Sequence, residues 1–366
     1  MKPKIIWITA EAFIDVDLPI IPILSKFYKI NWFICINKNS VIDNKNIISS
    51  AVNNTDVDVH YVVFRYRMRN PLSLLQYLKL TLRIHKTMPQ IFYIDNLGAP
   101  YFLPLLRFVI DKNKIIIAVH NVSTPKGAIN ERFMEKYTKL ILKLFKNFHV
   151  FSKNQKLVLQ SKTKNKNILY APLALKDYGK SINTADKKLI TFLNFGFIRE
   201  YKRIDVLIEA AQIAYEKTQK PFKVKIAGSC GNWEKYRKLI KYKFLFDTRI
   251  EPIPNEDVAD LFSASHYFVL PYQDIAQSGA ITVAFNYNLP VVASNLPSFK
   301  DVIVDGQTGY LFEPASKESL AVLMINIINN HKQNYYKLKE AQQFYINKNF
   351  STHSIANKYR EFFESL

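Results

Sequence analysis

The chain has 366 residues, 48% of them hydrophobic, and a formal net charge of +21. That length suits two domains, and the apolar content lets each bury a core, which excludes a disordered chain. The longest apolar runs, such as Ile115 to Val119, are far too short to span a bilayer.

The opening stretch, MKPKIIWITAEAF, has a basic start, but Glu11 interrupts its apolar run and no small-residue cleavage site follows. It reads as a first strand and not as a signal peptide. Further strand-like runs follow at Trp32–Ile36, Val59–Phe64, Ile91–Ile94, Ile115–Val119 and Phe148–Phe151. Amphipathic stretches lie between several of them, including Leu72–His85 and Glu131–Asn147. The second half repeats the rhythm at Leu189–Phe195, Phe222–Ala227, Thr248–Pro252, Tyr267–Leu270, Val291–Ala293 and Gly309–Phe312. Strand-then-helix alternation at this spacing predicts βαβ units and parallel sheets. The fold class expected is therefore α/β, with two doubly wound Rossmann-like domains facing a cleft. The polar, turn-rich segment 171–188 marks the boundary, giving domains over 1–176 and 177–350. Residues 351–366 read as a separate amphipathic helix, with Ser351 as N-cap and Ile355, Tyr359, Phe362 and Phe363 on one face.

Two cysteines, Cys35 and Cys230, sit far apart in strand-like contexts and are expected to be reduced and buried, as suits a cytoplasmic protein. The charge is uneven. Residues 1–178 carry 27 Lys and Arg against 11 Asp and Glu, whereas residues 179–366 carry 24 against 19. The first half therefore faces an anionic partner, with codon bias toward Lys, Asn and Ile accounting for part of the excess.

In an open α/β sheet, ligands bind beyond the carboxyl ends of the strands, so the residues following each run carry the chemistry. In LNFGFIREYKRIDVLIEAAQIA, residues 193–214, a strand ends at Phe195-Gly196 and a helix starts near Ile204. Arg199 and Lys202 lie between. Two cations beside a helix N-terminus suit a diphosphate, one as a planar fork and one as a point charge; the alternative is a pair of solvated loop cations. After Leu270-Pro271, Ser278 and Gly279 fall where the next helix begins, placed to cap it or to present free amides to a phosphate. In IIIAVHNVSTPKG, residues 115–127, His120 follows a buried strand and either serves structure or hydrogen-bonds a sugar hydroxyl or phosphate. In ERFMEKYTKLILKLFKN, residues 131–147, Phe133, Met134, Tyr137, Leu140, Ile141, Leu144 and Phe145 form an apolar face expected to be core. Arg132, Lys136, Lys139, Lys143 and Lys146 form a basic face, solvated or resting on an anionic leaflet. No His/Cys cluster has metal-ligand spacing.

Together these stretches resemble retaining, family-4-like glycosyltransferases with the GT-B fold, the glycosyl transferases group 1. FGFIREYKRIDVLIEA is similar to that family's donor-phosphate loop, and residues 254–314 resemble its second signature block in the branch that carries Gln-Ser-Gly. VHNVSTPKG resembles the first-domain His loop, and ILYAPLALKDYG the lead-in to the second domain. The resemblance implies a hexose or amino-hexose moved with retention from a nucleotide-diphosphate sugar to a glycan, or lipid-linked glycan, in bacterial surface polysaccharide synthesis. It implies that Arg199 and Lys202 neutralise the diphosphate, that the amides around Ser278 and Gly279 hold it, and that Gly196 lines the same loop. His120 would contact the transferred sugar, and the base would lie near Ile253 and Pro254. No metal or other cofactor is implied, and no nucleic acid. The final helix would return to the first domain. Location would be cytoplasmic, peripheral to the inner face of the plasma membrane.

Two departures bear on the site. Many members of that family carry Glu where this chain has Ile275 and Val283. Asp274 and Gln277 stand nearby as polar substitutes. The glycine-rich loop after the first strand is replaced by TAEAFIDVDLP, which offers Glu11, Asp15 and Asp17 as acceptor contacts. Other readings are a nucleotide-sugar epimerase on the same fold, a nucleic-acid-binding protein, or a non-catalytic membrane-docked subunit.

Overall fold

The computed structural model describes residues 2–38, 45–87, 89–95, 100–122, 131–186, 188–275 and 278–366. The chain divides into two compact units, Met1–Ala174 with Ser351–Leu366, and Leu175–Phe350.

The first unit has strands β1 (Lys4–Ala10), β2 (Lys29–Asn37), β3 (Val57–Phe64), β4 (Ile91–Asp95), β5 (Ile115–Ala118), β6 (Asn147–Val150) and β7 (Asn167–Tyr170). They form one sheet in the order β3-β2-β1-β4-β5-β6-β7, with every pairing parallel. The second unit has β8 (Ile190–Phe195), β9 (Phe222–Ala227), β10 (Phe246–Arg249), β11 (Tyr267–Leu270), β12 (Val291–Ser294) and β13 (Gly309–Phe312). Their order is β10-β9-β8-β11-β12-β13, again all parallel.

A parallel sheet is covered on both faces, so its central strands must be apolar on both sides. Ile5 to Ile8 of β1, Ile115 to Ala118 of β5 and the whole of β11 are buried accordingly. Edge strands escape that demand, and β10 is the polar sequence FDTR. In each unit the chain order reverses beside the first strand, between β1 and β4 and between β8 and β11. Loops leaving those neighbours part to opposite faces, which opens a crevice at the carboxyl ends.

Three boundaries differ from the sequence reading. The run expected at Thr248–Pro252 is strand only over Phe246–Arg249, because its partner β9 ends at Ala227, paired with Arg249. The helix expected to reach Asn147 stops at Leu144. Asn147 instead opens β6, its side-chain amide donating to the carbonyls of Asn113 and Ile115 at 2.8 and 3.3 Å. Strand β7 arises inside the stretch read only as a lead-in.

The last helix, Thr352–Glu364, belongs to the first unit and is capped by Ser351, whose hydroxyl accepts from the Ser354 amide at 3.2 Å. Ile355, Tyr359 and Phe363 are buried against β1, β2 and β4 side chains including Trp7, Trp32 and Tyr93. Tyr93 stacks on Trp7 at 3.9 Å and its hydroxyl lies 2.6 Å from His149 Nδ1. The other ring nitrogen of His149 donates to the Ala171 carbonyl at 3.0 Å. Burial makes the charged imidazole unfavourable and pulls the His149 pKa from 6.5 down to about 3. In the second unit burial, helped by His331, brings His266 down to about 4.

Both histidines are neutral when folded and must take a proton on unfolding at acid pH. Their contribution is complete above 6.5 and is lost as pH falls toward about 4 for His266 and about 3 for His149. Each should lower stability by about 1.4 kcal/mol per pH unit across that window. Urea unfolding at stepped pH should show this, with a shallower acid limb for His149→Gln in the first unit. Tyr359→Ala should destabilise the same unit by about 3 kcal/mol, read as a lower urea midpoint.

Candidate functional site

Strand β8 ends at Phe195, and Gly196 turns the chain with φ +103°. A side chain at 196 would place its Cβ 3.1 Å from the Lys202 Nζ, so glycine makes room for the ammonium. Gly228, just past β9, has φ +139° and packs on Gly196 so closely that a Cβ there would collide with the Gly196 carbonyl. The loop then forms a short 3₁₀ turn, Glu200–Lys202, before the helix Ile204–Thr218. Arg203 at the junction adopts a left-handed conformation, φ +47°. Its guanidinium bonds the Asp205 carboxylate at 2.8 to 3.1 Å and Gln273 Oε1 at 3.3 Å. Those bonds offset the cost of a non-glycine residue there.

Lys202 is only 7% exposed. Its ammonium lies 5.5 Å from the centre of the Tyr272 ring, a cation–π contact. Burial, with the nearby Arg199 guanidinium, pulls its pKa from 10.5 down to about 8. No carboxylate of the described residues supports its charge. Arg199 is exposed, 4.8 Å over the Phe197 ring.

The second loop follows β11, on the other side of the crevice. The Gln273 amide donates to the Tyr201 carbonyl at 2.8 Å, and the Tyr201 and Tyr272 rings meet edge to face at 5.6 Å. The loops are thus fastened together. Tyr272 is fully buried, which pushes its phenol well up, while a hydrogen bond with the Ser278 hydroxyl acts the other way. Ser278 occupies the N-cap position of the helix Gly279–Asn286, yet its side chain makes no capping bond. Its hydroxyl serves Tyr272, so the amides of the first helical turn have no side-chain acceptor among the described residues. A Cβ on Gly279 would meet nothing within 4 Å, so crowding does not require glycine there.

The structure therefore brings Gly196, Arg199, Lys202, Ser278 and Gly279 together within one unit. The missed residues are Tyr272, which links the two loops, and Gly228. A signal existed for the second: IAGSCG after β9 is a glycine-rich turn at a strand's carboxyl end. Ile253 is half-buried against the second unit's apolar core, and Pro254 is exposed just before the helix Asn255–Ser263. Asp274 is exposed, and Gln277 lies outside the described residues. Val283 is buried and Ile275 half-buried in one apolar cluster, so neither position offers a carboxylate.

In the first unit His120 follows β5. Its Nε2 is 2.8 Å from Asp95 Oδ1 at the end of β4. Phe13 and Phe151 stack on the two sides of the imidazole at 4.0 and 4.3 Å. Glu11 is half-buried, accepting from the Asn37 amide at 3.3 Å, and Asp15 is exposed. Asp17 requires correction as an acceptor contact. It is 1% exposed, accepts from Thr9 Oγ1 at 2.5 Å, and burial raises its pKa well above the carboxylate range. Cys35 is buried as expected, but Cys230 is half-buried.

On the helix Glu131–Leu144 the basic residues Arg132, Lys136, Lys139 and Lys143 are exposed, as is Lys146 beyond it. Its apolar face is not wholly core. Tyr137, Ile141 and the following Phe145 are buried, but Phe133 and Leu140 stand in solvent. Among the described residues, no group of His, Cys, Asp and Glu could hold a metal ion, and no helix is long and apolar enough to cross a membrane.

Residues 178–344 match the family model of glycosyl transferases group 1. An uncharacterized glycosyltransferase of Haemophilus influenzae is 28% identical over 180 residues, 48% of this chain and 50% of that protein. The matched stretch therefore spans about half the length of that curated relative. The Anabaena Alr3699/HepE structure in complex with UDP and glucose superposes with TM-score 0.71 at 13% identity, covering 100% of both chains. Sucrose-phosphate synthase from Thermosynechococcus elongatus gives TM-score 0.74 at 15% identity, also over 100% of both. These likenesses identify the fold as GT-B.

A buried, unpaired ammonium costs stability until an anion arrives. Lys202→Met should stabilise the ligand-free protein by roughly 1 to 3 kcal/mol at neutral pH while weakening inorganic diphosphate binding. In the wild type, diphosphate affinity should fall as pH rises through about 8, where Lys202 loses its proton. Urea unfolding and calorimetric titration measure the two effects.

Proposed function

We propose that this chain, whose residues 178–344 match the family model of group 1 glycosyl transferases, moves a hexose or amino-hexose from a nucleotide-diphosphate sugar to a hydroxyl of a glycan. The observation that carries the proposal is the buried Lys202 ammonium, which has no counter-charge among the described residues and is linked through Tyr272 to Ser278 at the N-terminus of the helix Gly279–Asn286. Such an arrangement calls for a compact anion. A diphosphate satisfies Lys202, the exposed Arg199 and the amides from Gly279 together. The Anabaena relative was captured with UDP, and the same group would seat its diphosphate here.

The chemistry follows from where charge develops. As the bond from the anomeric carbon to the diphosphate oxygen breaks, negative charge grows on the leaving group. Arg199, Lys202 and the helix amides stabilise it without reorganising, which lowers the barrier. With retention, the acceptor hydroxyl adds on the face the diphosphate leaves, and its proton passes to a diphosphate oxygen. His120 is clamped by two aromatic rings and anchored on Asp95, so its ring is fixed to orient the transferred sugar. Val283 leaves the ribose without a carboxylate, so donor choice rests on contacts other than the Glu pair of many relatives. The acceptor is a growing glycan, lipid-linked at the cytoplasmic face of the membrane, in synthesis of a bacterial surface polysaccharide.

A panel of nucleotide-sugars screened by thermal shift should reveal one donor. At 100 times its dissociation constant that donor adds about 2.7 kcal/mol. Arg199→Ala combined with Lys202→Ala should then cut turnover about a hundredfold or more. Unchanged turnover would reject the diphosphate assignment. An epimerised sugar from donor alone, without acceptor, would replace transfer by epimerisation.

A further inference from the structure

The second unit has a pocket of about 980 Å³ at the end of its sheet that the transfer chemistry does not use. Its lining includes His266, which leads into β11, and Leu289, which precedes β12. The diphosphate loops leave the carboxyl ends of β8 and β11, roughly 15 to 20 Å away along the strands at about 3.3 Å per residue. One wall is the long helix Lys317–Phe350. His331, Tyr335 and Lys339 recur every four residues along it, with Lys332 and Tyr336 one position further on, so the five share a helix face. Another wall is the segment 179–185, which adds Lys180.

Basic groups converge here without acids among them. His266 is buried and accepts the Thr191 amide on Nδ1 at 3.1 Å, so its neutral ring carries the proton on Nε2. The His331 ring meets it edge to face at 5.0 Å, with His331 Nδ1 3.1 Å from the Tyr267 hydroxyl. Lys339 is half-buried, its ammonium 5.6 Å from the centre of the Tyr335 ring, and burial lowers its pKa with no carboxylate opposing. Among the described residues no Asp or Glu lines the pocket. The acids nearby are engaged elsewhere. Asp260 accepts from the Ser181 hydroxyl and the Ile182 amide at 2.6 and 3.0 Å, Asp177 from the Gly179 amide and Asp186 from the Lys188 amide, each at 2.9 Å. Glu340 lines a different recess. Desolvated cations without counter-charge favour an anion. The exposed Tyr336 ring offers an apolar face, and Asn183, Thr184 and Ser263 offer hydrogen-bonding groups, as a sugar ring requires. We propose that this pocket is a second binding site, for a phosphorylated sugar. Lys332, Lys339 and the two imidazoles hold the phosphate, and the sugar lies against Tyr336. The inference rests on no step of the transfer reaction and stands if that reading fails.

The test is calorimetric titration of the full chain carrying Arg199→Ala and Lys202→Ala, which removes the diphosphate cations. Glucose 6-phosphate, inorganic phosphate, glucose and uridine monophosphate are the probes. Glucose 6-phosphate should bind one to one and more tightly than the other three. Adding Lys332→Gln with Lys339→Gln should weaken it about tenfold or more. Adding Tyr336→Ala should weaken glucose 6-phosphate but leave inorganic phosphate unchanged, with circular dichroism showing every variant folded. Absence of binding at millimolar glucose 6-phosphate overturns the proposal, as does undiminished binding by the glutamine variant. Equal loss of both phosphates in Tyr336→Ala, or tighter binding of uridine monophosphate, overturns the assignment to a sugar.

Discussion

An ammonium held out of water without an opposing carboxylate among the described residues is the constraint around which the second unit's loops are arranged. Desolvation disfavours the charged form of Lys202, and the Arg199 guanidinium disfavours it further. The Tyr272 ring face offers only partial compensation. Everything nearby keeps this group in place. Gly196 clears its space, Gly228 allows the two strand ends to approach, and the Arg203–Asp205–Gln273 contacts tie one loop to the other. The sheet order supplies the location, since these loops leave β8 and β11 where the strand sequence reverses.

The first unit treats its polar groups differently. Asp17, Asp95 and His149 lie at the carboxyl edge of the sheet but are fully enclosed, each with at least one partner. His120, bonded to Asp95, is partly exposed, and its ring is sandwiched rather than free to turn. A residue brought in by the last helix, Tyr359, closes the far side of the network, 3.3 Å from His149 Nδ1. The end of the chain thus stabilises the core behind the position from which His120 projects.

Much of this was legible in the amino-acid sequence because parallel strands are buried on both faces and so read as unbroken apolar runs. The β1, β5, β8 and β11 runs and the cations after β8 needed no tertiary information. The polar edge strand β10 and the short β7 lacked that signal, since pairing with a neighbour defines them. The role of Tyr272 was not readable either, because it depends on which side of a loop faces which. Asp17 misled for a related reason: a carboxylate in a loop-like sequence suggests solvent, whereas Thr9 and the surrounding tryptophans enclose it.

One detail of the second unit reaches beyond binding. The helix Gly279–Asn286 is only eight residues long, and the serine that should finish it is turned toward Tyr272. On the proposed reading, the missing acceptor is supplied by substrate. The donor's phosphate would then act as a structural element, completing the helix each time it arrives and leaving it open-ended each time the spent nucleotide departs.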